Sequence, residues 1–125
     1  MVINLDKGTV LAKKLYIADN FFYRLKGLIG TADLENDTGL LIIPCSSIHT
    51  FFMRYSIDVV FLDHQNRVCR ILHSLPPYRI GPIVKGAKKV LELNAGVSLA
   101  TGTEIGDQIV FNGEDGKFGK KFKNS

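Results

Sequence analysis

A six-residue run, IDVVFL at positions 57–62, restricts the possible folds more than any other part of this sequence. If the run is a strand, alternate side chains point to opposite faces, and each face then receives at least two apolar side chains. A strand that is apolar on both faces must be packed against other parts of the protein on both faces, which predicts a central position in a sheet. Asp58 would then be a carboxylate buried within that sheet.

Short apolar runs separated by turn residues predict about seven short strands. The candidate runs are residues 2–5, 9–17, 40–43, 48–53, 57–62, 68–72, 89–93 and 108–111. Asp6-Lys7-Gly8 is a turn signal between the first two runs and predicts an opening hairpin. Two short helices are predicted, one from Asp19 to Gly30 and one from Asn94 to Gly102, each beginning at a capping residue and ending at glycine. The segments that connect most of these predicted strands are short, and short connections favour antiparallel neighbours. We therefore expect a small β-rich α+β domain with a barrel-like or strongly curved, mostly antiparallel sheet and two short helices.

The length of 125 residues predicts one domain. We assign residues 1–112 to a single β-rich α+β domain. The remaining residues, 113–125, form a basic tail, GEDGKFGKKFKNS, which has little apolar surface to bury and is expected to be flexible. Its lysines are few for a nucleic-acid site, so we do not expect nucleic-acid binding.

The amino-terminal sequence MVINLDKG lacks the long apolar stretch of a signal peptide. No apolar run approaches the roughly 20 residues that span a bilayer. The two cysteines, Cys45 and Cys69, are too few for a disulfide framework and fit reduced thiols. These features predict a cytoplasmic protein without a membrane partner.

Two Cys-x-x-x-His segments, Cys45 to His49 and Cys69 to His73, raise the question of a metal site. On a strand, residues four apart lie roughly 13 Å from each other, whereas zinc holds its ligands at about 2.0–2.3 Å. We therefore predict no metal site. A nucleophilic Cys45 with His49 or His73 as its base has no supporting spacing signature, so enzymatic activity stays open.

The predicted buried carboxylate needs a donor, because an unpaired buried charge is costly. In a tight hairpin after the central strand, Asp58 would lie opposite Ile71, with His73 as its diagonal neighbour on the same face. Arg24, His49 and His73 are the available donors. The cluster is either a ligand site or a purely structural pairing.

A series of short motifs resembles the domain-of-unknown-function 192 family over roughly residues 9–111. In order they are Arg24-x-x-Gly27-Leu28, Gly39-Leu40-Leu41, His49-Thr50-x-x-Met53, Ile57-Asp58-Val59-Val60-Phe61-Leu62, Leu91-Glu92-Leu93-x-Ala95-Gly96 and Gly106-Asp107. The resemblance implies a small β-rich α+β fold of bacteria and archaea, with no established activity, substrate or cofactor. The glycines and Asp107 have evident roles in bends and turns.

The remaining motif residues are harder to explain by backbone geometry and form the predicted ligand-binding set: Arg24, His49, Thr50, Met53 and Asp58. Our leading hypothesis is a small binding or accessory module with a polar pocket for an anionic or polar ligand, its cofactor unknown. One alternative is a hydrolase or metal-assisted enzyme that uses His49, Asp58 and Cys45. The other is a protein-interaction domain without a small ligand.

Overall fold

The protein is described from a computed structural model, which covers residues 1–18, 35–43, 47 and 55–112. Strands and one short helix follow each other in these residues. They are β1 (Val2–Asn4), β2 (Thr9–Ala12), β3 (Lys14–Ala18), β4 (Thr38–Ile42), β5 (Ile57–Leu62), β6 (Val68–Leu75), β7 (Lys89–Asn94), α1 (Val97–Ala100) and β8 (Ile109–Phe111).

The strands form two sheets, a three-stranded sheet in the order β2-β1-β8 and a five-stranded sheet in the order β3-β4-β7-β5-β6. Strands β3 and β4 are parallel, whereas the other paired strands are antiparallel. All six residues of β5 are buried, and β5 pairs with β6 on one side and β7 on the other. The prediction of a central strand at residues 57–62 is therefore confirmed.

Two apolar clusters pack on opposite faces of the larger sheet, following the alternation of side chains along β5. Val59 and Phe61 belong to one cluster, together with Leu40 of β4. Val60 belongs to the other, which also contains buried side chains of the smaller sheet such as Val2. The second cluster therefore joins the two sheets.

The predicted fold class is wrong. Over the described residues the chain is mostly β, with a single helix of four residues, and its two sheets do not close into a barrel. It is not an α+β domain with a barrel-like sheet and two helices. The predicted helix from Asp19 to Gly30 and the predicted strand at residues 48–53 lie outside the described residues. No helix in the described part of the chain is both long and apolar enough to cross a membrane.

Two local predictions need smaller corrections. The opening hairpin forms, but the predicted strand at residues 9–17 divides into β2 and β3, and β3 joins the other sheet parallel to β4. The helix predicted from Asn94 begins later, because Gly96 occupies its N-cap position with a φ of 94°. A positive φ of this size favours glycine, which has no Cβ to clash with the backbone.

The predicted register of the β5–β6 hairpin is also wrong. Val60, not Asp58, lies opposite Ile71, and the pairing is irregular between Ile57 and Val59. A β-bulge adds a residue to one strand and redirects the side chains and N–H groups beside it. The irregularity places Asp58 opposite the segment of β6 that contains Ser74, which has a φ of 50°.

Candidate functional site around Asp58

Asp58 is completely buried and accepts three hydrogen bonds from two serines. The backbone N–H of Ser74 donates to Oδ1 at 2.8 Å. The backbone N–H and the hydroxyl of Ser98 both donate to Oδ2, at 2.8 and 2.5 Å. A buried carboxylate is tolerated when such donors replace its lost water. The prediction of a buried Asp58 is therefore confirmed.

The donors come from two elements that are distant in sequence. Ser98 is the second residue of α1, where a backbone N–H has no acceptor within the helix. Ser74 lies near the end of β6, at the positive φ that accompanies the irregular pairing. Asp58 thus connects α1 and the end of β6 to the central strand.

His73 extends this group toward solvent. Its side chain is exposed, and Nδ1 lies 2.8 Å from the hydroxyl oxygen of Ser98. The hydroxyl has one hydrogen, which it donates to Asp58, so its oxygen is left to accept a hydrogen bond from His73 Nδ1. In the neutral imidazole, Nε2 then carries the lone pair. We call Asp58, Ser98 and His73 the carboxylate relay.

The carboxylate relay differs from a catalytic triad in the order of its members. In a Ser-His-Asp triad the histidine stands between the carboxylate and the serine, and it takes the proton of the serine. Here Ser98 stands between Asp58 and His73, is fully buried and points its hydroxyl at the carboxylate. Ser98 is therefore placed to orient the imidazole and not to attack a substrate.

An open depression lies on the surface beside the carboxylate relay. It is lined by Arg70, Ile71, His73, Thr103, Glu104 and Ile105. Arg70 and Glu104 are both exposed, so the depression presents charges of both signs. The Lys7 ammonium lies 3.7 Å from the Glu104 carboxylate and partly balances it.

Asp107 fixes the turn that forms one wall of this depression. Its Oδ2 accepts hydrogen bonds from the Asn4 amide and from the backbone N–H of Glu104, both at 2.9 Å, and its Oδ1 accepts one from Lys7 at 3.1 Å. Burial alone would raise the pKa of Asp107, but the hydrogen bonds from Asn4, Glu104 and Lys7 outweigh it and lower that pKa. The turn role predicted for Asp107 is confirmed.

Glu92, on the central strand β7, is a second fully buried carboxyl group. It lies across from Leu40 on one side and Val59 on the other, and its Oε2 has no hydrogen-bond partner. Burial raises the pKa of Glu92 to about 8, because the charged form cannot be solvated there. Glu92 is therefore held mostly in its neutral form at pH 7.

Cys69 is partly buried, and its thiol donates to the backbone carbonyl of Phe61 at 3.4 Å. Burial raises the pKa of this thiol, which disfavours the reactive thiolate. Among the described residues, no three side chains of the metal-binding types come together. Cys69 and His73 thus have separate surroundings.

Most of the predicted site lies outside the described residues. These positions are Arg24, His49, Thr50 and Met53, together with Cys45 of the alternative enzyme site. Asp58 is described, and of its three suggested donors only His73 can be placed, where it acts through Ser98. Ser98 was not predicted from the sequence, although a serine two residues after Gly96, in the first turn of the predicted helix, is a usable signal because backbone N–H groups there lack acceptors within the helix.

The fold and the family follow from comparison with known proteins. The two-sheet fold is shared with a solved protein of unknown function from Novosphingobium aromaticivorans, at a TM-score of 0.70 and 22% identity over 78% of this chain and 74% of that one. The family model DUF192, described as "Uncharacterized ACR", matches residues 2–111, and the chain belongs to this family. The resemblance predicted from the short motifs is confirmed.

Two archaeal relatives support the assignment. A UPF0127 protein of Thermococcus sibiricus is 38% identical over 92% of this chain and 77% of its own length. A UPF0127 protein of Pyrococcus abyssi is 36% identical over 87% of this chain and 95% of its own length. The family is conserved and uncharacterised, so its membership assigns no activity.

Proposed function

We propose that this chain is a small binding module that holds an anionic or polar ligand beside His73. The observation that carries the proposal is the carboxylate relay, in which a fully buried Asp58 orients an exposed imidazole through Ser98. This chain of hydrogen bonds links a fully buried carboxylate to a side chain at the surface. Asp58 acts in this proposal as a positioning residue.

The residues around the depression favour an anionic ligand. Arg70 offers a planar guanidinium, which binds carboxylates and phosphates through paired hydrogen bonds. His73 adds Nε2, which donates a hydrogen bond when the imidazole is protonated and accepts one when it is neutral. The opposing charge of Glu104 is partly balanced by Lys7.

The predicted ligand-binding set from the sequence belongs to the same proposal. Arg24 would supply a second charge-assisted donor, and Thr50 a neutral one. His49 and Met53 would complete the polar and apolar lining. Each of these four is a target for individual substitution.

The test is an NMR titration of the ¹⁵N-labelled protein with inorganic phosphate, pyrophosphate, succinate and citrate. We expect at least one anion to shift the Arg70 and His73 resonances. Arg70→Ala should weaken that binding about 10- to 100-fold, because a charge-assisted hydrogen-bond pair is lost.

Lys14→Ala provides a matched control, since it removes an exposed positive charge from β3, at the opposite edge of the five-stranded sheet from β6. Its binding should match that of the wild type. The proposal fails if no anion shifts these resonances, or if Lys14→Ala weakens binding as much as Arg70→Ala does.

A further inference from the structure

The loop at residues 76–88, between β6 and β7, exposes large apolar side chains. Tyr78, Ile80 and Ile83 are 69%, 72% and 81% exposed, and they lie within six residues of chain. Single exposed apolar residues are ordinary, whereas three large ones so close together on one loop make it a candidate contact surface. We call these three residues the apolar loop cluster.

The loop is held in place by residues that point inward. Val84 and Ala87 are buried in the same apolar cluster as Val59 and Phe61. The backbone N–H of Ala87 donates to the carbonyl oxygen of Val84 at 3.1 Å. The backbone N–H of Lys88 donates to the carbonyl oxygen of Leu62, in β5, at 2.8 Å. The exposure of the apolar loop cluster is therefore part of an anchored conformation.

The charged side chains along this stretch of the chain are all basic. Positions 64–91 contain no aspartate or glutamate, whereas Lys85 and Lys88 of the loop are exposed. Apolar side chains next to basic ones are typical of segments that lie on anionic lipid surfaces. Nucleic acid also attracts lysines, but isoleucines offer it neither hydrogen bonds nor stacking.

The size of the cluster favours a lipid surface over a protein partner. Three side chains of this type expose on the order of 400 Å², about half of the roughly 800 Å² that each partner buries in a stable protein interface. A bilayer has no such minimum area, because each inserted side chain contributes independently.

We infer that the loop at residues 76–88 attaches this protein to the surface of an anionic lipid bilayer. Tyr78, Ile80 and Ile83 insert between the lipids, while Lys85 and Lys88 contact the head groups. The expectation of no membrane partner rested on the lack of a spanning segment, which attachment of this kind does not need. The inference does not depend on the anion site beside His73.

The experiment is co-sedimentation of the full chain with vesicles. We expect binding to vesicles of phosphatidylcholine mixed with phosphatidylglycerol, no binding to phosphatidylcholine alone, and release by salt. The double variant Ile80→Ser with Ile83→Ser should lose binding at least about 10-fold. Each of Lys85→Ala and Lys88→Ala should weaken it roughly fivefold.

Leu99→Ser is the matched control, because Leu99 is 70% exposed but lies on α1. It should bind like the wild type, and circular dichroism should show that every variant is folded. Unchanged binding of the isoleucine double variant would overturn the inference and leave the basic tail as the lipid-binding segment. A dimer in size-exclusion chromatography that this variant disrupts would overturn it in favour of self-association.

Discussion

Replacing Asp58 by alanine should lower the free energy of unfolding by about 3–5 kcal/mol. The substitution leaves the fully buried backbone N–H of Ser98 without an acceptor, and it also removes the acceptor of the partly buried N–H of Ser74 and of the Ser98 hydroxyl. A fully buried donor loses its hydrogen bond without regaining water. Since small domains are stable by only about 5–15 kcal/mol, a large part of the stability should be lost. Urea denaturation followed by circular dichroism measures the change.

Asp58→Asn sharpens this test because it keeps the size of the side chain. The amide has one acceptor oxygen, so its NH₂ group must face a donor on Ser74 or on Ser98. We expect a loss of at least about 2 kcal/mol. Asp37→Asn is the control, since Asp37 is exposed, and it should change stability by less than about 0.5 kcal/mol. Equal stabilities of the Asp58→Asn and Asp37→Asn proteins would contradict the account.

The stability of the wild-type protein should fall as the pH rises from about 5 to about 8 because of Glu92. Burial raises its pKa from 4.5 in the unfolded chain to about 8 in the folded protein. Between these values the folded protein keeps a proton that the unfolded chain has released, so rising pH favours unfolding. The stability contributed by the neutral group is fully present below about pH 4.5 and lost by about pH 8. The total change is on the order of 5 kcal/mol.

Glu92→Gln should remove this fall in stability with rising pH, because glutamine has a similar shape and no proton to release. Urea denaturation at several pH values gives the difference in stability between the variant and the wild type, and that difference should grow in favour of glutamine as the pH rises. Glu104→Gln, at an exposed position, should reproduce the wild-type profile. A difference between Glu92→Gln and wild type that is independent of pH would show that Glu92 does not titrate as described.

The central strand and its buried carboxylate could be predicted because the signal is local. Six consecutive residues determine which face each side chain of β5 occupies, and their composition requires cover on both faces. The partners of Asp58 could not be predicted in the same way. Ser98 lies 40 positions away from Asp58 in sequence. The register of β6 depends on an irregular pairing with β5 that the turn residues of the hairpin do not indicate.

The fold class was wrong for a related reason. Turn residues at Asp6-Lys7-Gly8 correctly predicted the opening hairpin, but the division of residues 9–17 between two sheets depends on which distant strands each half meets. β3 pairs with β4 in parallel across residues 19–37, a connection long enough for a parallel crossover, whereas the prediction of mostly antiparallel neighbours rests on short connections. Local sequence preferences thus predicted where strands form, whereas contacts between distant strands determine how the sheets are arranged.

Direct observation of the protons on His73 is the sharpest test of the carboxylate relay. Long-range ¹H–¹⁵N correlation spectra of the labelled protein distinguish the two nitrogens of a neutral imidazole. The hydrogen bonds from Ser98 to Asp58 and from His73 to Ser98 predict a protonated Nδ1 and an unprotonated Nε2. Ser98→Ala should abolish this preference. A protonated Nε2 and a bare Nδ1 in the wild-type protein would contradict the relay and the function built on it.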